Sequence, residues 1–132
     1  MKYLVLFFCI LISVFGLSCK KTANQDNVNV ISPKETQTLL DSDNIQLIDV
    51  RTPKEFKEGF IANAKNIDFF SPTFKDEISK LDKKKPVIVY CRSGKRSSNS
   101  ARIFFDKGFT KIYDLEGGFL NWKSQGLKIE KE

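Results

Sequence analysis

The sequence predicts an α/β fold, a parallel sheet covered by helices and built as one domain. Three observations carry this. Short β-type apolar runs alternate with helix signatures, with few residues between them. One of those runs, Val87–Tyr90 (VIVY), is apolar throughout, as suits a strand buried on both faces of a parallel sheet. The length of 132 residues suits one domain, and the chain contains no internal repeat.

The elements follow in order. Val28–Ile31 is a short β-type run. Ser32-Pro33-Lys34-Glu35 is a capping box with Pro at the first helical position, and it starts a helix that runs to about Leu40. Residues 45–50 (IQLIDV) read as a strand with an acid near its end. Thr52-Pro53-Lys54-Glu55 repeats the capping signature, and this helix reaches about Glu58 before Gly59 stops it. Residues 64–67 are a short strand. Residues 73–81 are a helix, with Phe74, Ile78 and Leu81 at 3-to-4 spacing. After strand Val87–Tyr90, residues 97–107 are a helix with Ala101, Phe104 and Phe105 inward and Gly108 at its end. Residues 111–115 (KIYDL) are the last strand, and Gly117-Gly118 turns the chain into a final helix over 119–125. Open parallel sheets bind ligands beyond the carboxyl ends of their strands, so the loop after Tyr90 is the expected site.

Residues 1–18 read as an address. Lys2 gives a positive start and residues 3–18 carry no charge. That run is shorter than the roughly 20 apolar residues of a membrane-spanning helix and fits a secretory signal. It ends at Ser18-Cys19, followed at once by Lys20-Lys21. A small residue directly before a cysteine at this place resembles a bacterial lipoprotein signal. The resemblance implies cleavage before Cys19, acylation of its thiol, and export to the periplasmic or cell-envelope face with a lipid anchor in the membrane. Plain cleaved secretion and an uncleaved anchor are the alternatives. Cys9, inside the apolar run, reads as a small hydrophobe. Residues 19–27 are polar and aperiodic and read as a tether, which leaves 28–132 as the folded domain.

Composition excludes several chemistries. There is no His, so Ser-His and Cys-His dyads and His-based zinc sites are impossible. Cysteines at 9, 19 and 91 are too few and too scattered for a four-cysteine zinc site or a disulfide framework. Neither a metal nor a cofactor is expected. Twelve Phe and one Trp are too much apolar material for a disordered chain. The net charge of +6 comes from lysines spread along the chain. Lys83-Lys84-Lys85 reads as a solvated loop, and without a recognition helix or aromatic RNA-binding signature no nucleic-acid partner is expected.

Cys91-Arg92-Ser93-Gly94-Lys95-Arg96-Ser97 follows a strand and precedes a helix. A short loop of this kind can turn backbone N–H groups toward one point, and the helix beyond it adds its positive end. Arg92, Lys95 and Arg96 add formal charge, and Gly94 permits a backbone angle other residues resist. These features favour a thiolate at Cys91 and an anionic substrate. The alternative is a buried strand-end cysteine with charged neighbours by chance.

Three ordered motifs resemble the rhodanese family. Asp49-Val50-Arg51, Glu55-Phe56, Gly59, Ile61, Ala64 and Asn66-Ile67 resemble its first signature. Cys91 to Ser97 resembles its active-site loop, and Gly117-Gly118-Phe119 with Trp122 its closing motif. The resemblance spans roughly 28–129. It implies a three-layer α/β fold with a central, mostly parallel five-stranded sheet flanked by helices. It also implies a sulfurtransferase: Cys91 takes sulfane sulfur from a small anionic donor such as thiosulfate and carries it as a persulfide, which an external thiol or cyanide removes. By the same resemblance Arg92, Ser93, Gly94, Lys95, Arg96 and Ser97 hold the persulfide and substrate. The chain departs from the family at Phe60, where many members carry His.

Asp49 and Arg51 are supporting residues. Asp49 is placed to cap the following turn or pair with a base. Arg51 is placed either to reach the loop's anion or to pair with Glu55. Phe119 and Trp122 read as core or lid packing. Two other functions compete. One is a catalytically silent binding module. The other is a phosphatase or arsenate reductase, whose loop places five residues between Cys and Arg where this chain has four. With Cys9 removed and Cys19 acylated, Cys91 would be the single free thiol, so sulfur must leave to an external acceptor. A lone thiolate outside the cytoplasm also risks overoxidation.

Overall fold

The computed structural model describes residues 27–132 except residue 43. The predicted signal segment, the predicted lipidation site Cys19 and, but for Asn27, the tether lie outside the described residues.

Strands β1 (Val28–Ile31), β2 (Gln46–Asp49), β3 (Lys65–Asn66), β4 (Val87–Tyr90) and β5 (Ile112–Leu115) form one sheet in the order β1-β5-β4-β2-β3. Every pairing is parallel. Helices α1 (Pro33–Leu40), α2 (Pro53–Glu58), α3 (Phe74–Ser79), α4 (Lys95–Asp106) and α5 (Gly118–Ser124) connect or follow the strands. The sheet is the one predicted, with its shortest strand at the edge.

Side chains alternate across each strand, and two apolar layers result. On one face Val87, Val89 and Cys91 join Ile48, Val50 and Ile112 against Phe74 and Ile78 of α3 and Ala101 and Phe104 of α4. On the other, Ile88 and Tyr90 join Leu47 and Leu115 against Phe119 and Trp122 of α5, with Leu39 and Leu40 of α1 packed alongside. Residues of β4 are completely buried, which explains their unbroken apolar run. Phe119 and Trp122 are core residues, as their sequence pattern suggested.

Both predicted capping boxes form. Ser32 and Glu35 exchange bonds at the start of α1, and Thr52 and Glu55 do so at the start of α2. Each satisfies amides that a helix start otherwise leaves open, worth about 1 kcal/mol. Gly59 ends α2 with a positive φ of 155°.

The structure corrects the start of α4. The helix begins at Lys95, two residues before the predicted 97. Gly94 is the reason: it adopts φ 119°, ψ −20°, and turns the chain straight from the loop into the helix, so that Ser98 N–H already donates to its carbonyl at 3.0 Å. Lys95, Arg96 and Ser97 therefore belong to the first helical turn, and only Arg92, Ser93 and Gly94 separate Cys91 from the helix.

Candidate active site

Cys91 stands just past the end of β4, the middle strand of the sheet, at the carboxyl edge where such sheets place ligands. It is 1% exposed. The backbone N–H of Gly94 donates to its Sγ at 3.1 Å, and its thiol donates to the buried Ser97 Oγ at 3.6 Å. Ser97 in turn donates to the Gly94 carbonyl at 3.1 Å. The tight turn at Gly94 aims a backbone N–H at the sulfur.

The loop is held from behind by α5. Phe119 N–H donates to the Cys91 carbonyl at 2.8 Å, and Leu120 N–H donates to the Arg92 carbonyl at 3.0 Å. These amides, at the start of a helix, have no intrahelical partner of their own, so the loop carbonyls satisfy them. Gly118 makes the approach possible. A Cβ there would stand 2.6 Å from the Cys91 oxygen, and its φ is +59°. The two-glycine turn predicted from sequence is thus a clamp on the backbone of Cys91 and Arg92.

Of the three loop cations, Arg96 is the one engaged by a partner. Its Nη1 and Nη2 each donate to a Glu55 carboxylate oxygen at 2.8 Å. The hydrogen bonds from Arg96, reinforced by those from Thr52, hold the Glu55 carboxyl at about 2 despite partial burial, and the Arg96 guanidinium is pushed up in return. Arg92 lines an open cleft of about 250 Å³ beside the loop, with Lys123, Glu55 and Glu58 as further charges and Phe119 and Leu120 as its apolar part. Ser93 and Lys95 are exposed.

Asp49 and Arg51 form a buried pair beneath this cleft. Arg51 Nε lies 2.9 Å and 3.0 Å from the two Asp49 oxygens, and Nη2 donates to Asp49 and to the Gly59 carbonyl. Asp49 also accepts from the Arg51 backbone N–H at 2.9 Å. Both expected roles of Asp49, capping the turn and pairing with a base, are met. The expected Arg51–Glu55 pair is not formed. The Arg51 Cζ lies over the Phe119 ring at 4.1 Å and near Tyr90 at 5.6 Å, where Asp49 is its ion-pair partner, and this leaves Glu55 to Arg96. Arg51 still reaches the cleft wall. Burial works against its charge, and Asp49 more than offsets that. Tyr90 is buried, which pushes its hydroxyl up, and that hydroxyl accepts from Ile61 N–H at 3.1 Å. Phe60, at the family's His position, stacks on Phe56 at 4.2 Å.

Asp114 escaped the sequence reading. It lies on β5, is 6% exposed, and its Oδ1 has no hydrogen-bond partner. Burial pushes its carboxyl up to about 6, against a smaller pull from the Ser97 hydroxyl. The signal that finds it is alternation along KIYDL, which sets Asp114 on the same face as the core residue Ile112. No group of three or more His, Cys, Asp or Glu side chains suited to a metal occurs among the described residues.

Comparison with known proteins agrees with this geometry. The family model described as "Rhodanese-like domain" matches residues 32–125. A protein named sulfurtransferase from Allochromatium vinosum is 32% identical over 94 residues, covering 71% of this chain and 86% of the relative. The thiosulfate sulfurtransferase GlpE of Pseudomonas aeruginosa is 33% identical over 99 residues, covering 75% and 87%. Among solved structures, a rhodanese-related protein from Thermoplasma volcanium superposes with a TM-score of 0.71 at 27% identity, covering 79% of this chain and 99% of that one.

Proposed function

Because the chain belongs to the rhodanese-like family, we propose that it is a sulfurtransferase working through a persulfide on Cys91. One observation carries this reading: the Gly94 amide at 3.1 Å from the Cys91 sulfur, on a loop that opens beside a cleft lined by Arg92 and Lys123. A thiolate there attacks the outer sulfur of thiosulfate. A Cys91 S–S bond forms, the donor's S–S bond breaks, and sulfite leaves with the bonding electrons. The loop amide faces the sulfur whose charge must be held. Cyanide or an external thiol then attacks the outer sulfur and restores the Cys91 thiolate.

The loop argues against phosphatase or arsenate-reductase chemistry. Three residues separate Cys91 from the helix, and Arg96 commits both terminal nitrogens to Glu55, which leaves it turned away from a tetrahedral oxyanion. A silent binding module would not require an amide aimed at a buried thiol. The sequence features of residues 1–19 support a further part of the reading: export as a lipoprotein, acylated at Cys19 and held on the periplasmic or cell-envelope face. Metabolic labelling with a radioactive fatty acid tests that part, with label expected on the wild type and lost in Cys19→Ser.

The central test is mass spectrometry of the full chain after incubation with thiosulfate. One added sulfur atom on the Cys91 peptide is expected, removable by cyanide and absent in Cys91→Ser. If neither thiosulfate nor polysulfide loads Cys91, the persulfide reading fails and the binding module takes its place.

A further inference from the structure

We propose that the end of the sheet opposite Cys91 is a docking surface for anionic phospholipid, so that the domain stands on the membrane with its Cys91 loop turned outward. This rests on the reading of residues 1–19 as a lipid anchor, and adds to it an orientation and a lipid class.

The strands start together. Val28, Ile112, Val87 and Gln46 lie side by side in one row across β1, β5, β4 and β2. All four strands run the same way from that row. Their starts make one end of the domain, and Cys91 stands toward the other, about 13 Å along β4.

Lysines collect at the starting end. Lys83, Lys84 and Lys85 lie in the turn before β4, Lys111 directly precedes β5, and Lys80 and Lys107 cap the ends of α3 and α4. These segments adjoin one another. The Val87 N–H donates to the Lys111 carbonyl at 3.0 Å, and Lys83 Cδ lies 3.7 Å from where a Cβ on Gly108 would stand, directly after Lys107. The turn is pinned to β2. The Gln46 side-chain amide donates to the Asp82 carbonyl at 2.8 Å and accepts from the Asp82 N–H at 3.0 Å, while the Asp82 carboxylate accepts from the Lys84 N–H at 2.9 Å. All of these lysines except the half-buried Lys107 are exposed. The acids of this end among the described residues are Asp41, Asp82 and Asp106, with Asp43 outside them, and among the described residues no ion pair joins them to the lysines. The result is a positive surface at this end.

A lysine patch alone is an ordinary solvated surface. What gives this one a partner is where the chain enters. Residue 28 opens β1 in the same row, so the tether arrives at the basic end and not at the Cys91 end. Cys19 to Val28 is nine residues, a reach of at most about 30 Å. Lys20 and Lys21 at its start add positive charge, against Asp26. An acylated Cys19 therefore holds the patch beside the bilayer at high effective concentration. Basic segments so placed are drawn to anionic lipid. The cleft of Arg92 and Lys123 then stays open to soluble donors and acceptors.

Lysine acetylation, read by peptide mass on the full chain, tests this. The chain is reconstituted in vesicles of phosphatidylcholine alone or of phosphatidylcholine with phosphatidylglycerol. On the anionic vesicles Lys83, Lys84, Lys85, Lys107 and Lys111 are expected to label about fivefold more slowly, as one lipid contact per lysine gives. Lys34, Lys54 and Lys95, at the starts of α1, α2 and α4, should label equally on both. The difference should vanish in about 1 M salt, where the screening length falls to about 3 Å. Changing Lys83→Gln, Lys84→Gln and Lys85→Gln together should release Lys107 and Lys111 from protection. Equal labelling of the patch on both vesicles overturns the proposal, as does protection by an oligonucleotide without protection by anionic vesicles. Flotation judges the anchor separately: a chain that does not float with neutral vesicles sinks the lipid-anchor reading, and protection on anionic vesicles still decides the docking surface.

Discussion

Gly118 lies so close beneath Cys91 that a Cβ on it would stand 2.6 Å from the Cys91 carbonyl oxygen and 2.7 Å from that of Arg92. Both neighbours are backbone, and neither can swing away as a flexible side chain would. Gly118 and the loop that follows Cys91, far apart in sequence, are therefore one packing unit.

Gly118→Ala is expected to push the loop off α5 and lengthen the Phe119 and Leu120 amide bonds to it. Strain at φ +59° adds to the clash. The expected cost is about 2 kcal/mol or more, read from the urea midpoint. Sulfur loading of Cys91 should fall in parallel, because the Gly94 amide moves with the loop.

Asp49→Ala should be among the most damaging single changes in the domain. It leaves the Arg51 guanidinium buried, with the Gly59 carbonyl as its remaining acceptor. Removing one partner of such a pair costs about 3–5 kcal/mol. Asp49→Asn keeps an acceptor in place and should cost less. Chemical denaturation of the two variants side by side separates lost charge from lost hydrogen bonding.

Glu55 should make stability depend on pH at the acid end. Its carboxyl is lowered from 4.5 to about 2 by Arg96, so the folded state binds its proton less readily than the unfolded chain. The contribution is fully present above pH 4.5 and is lost as pH falls toward 2. The pair is partly exposed, so solvent screening limits it to about 1 kcal/mol. Denaturation of wild type and Glu55→Gln should differ by that amount near neutrality, and the gap should close as pH approaches 2.

Much of the fold was legible because local chemistry and tertiary structure ask for the same residues. The two capping boxes place the starts of α1 and α2 correctly, since their hydrogen bonds lie within four consecutive residues. The unbroken run VIVY reads as a central strand because both of its faces must be apolar. Cys91 and its loop were legible as a site for a similar reason: strand, glycine and helix follow one another directly. The start of α4 differs from the expected residue 97 because Gly94 makes the turn with backbone alone and begins the helix at Lys95.

Periodicity, caps and turns over a few neighbouring residues set the alternation of strands and helices, the parallel sheet and the place of Cys91 just beyond β4. Which charges meet was decided only by tertiary structure. Arg96 and Glu55 are 41 residues apart in the chain, and Arg51 turned from Glu55 to Asp49 because packing over Phe119 set its direction. Asp114 reads as an ordinary acid in KIYDL until α4 packs on β5 and the fold buries it. Coulomb and hydrogen-bond energies depend on distances through space, and a sequence sets those only once the chain has folded.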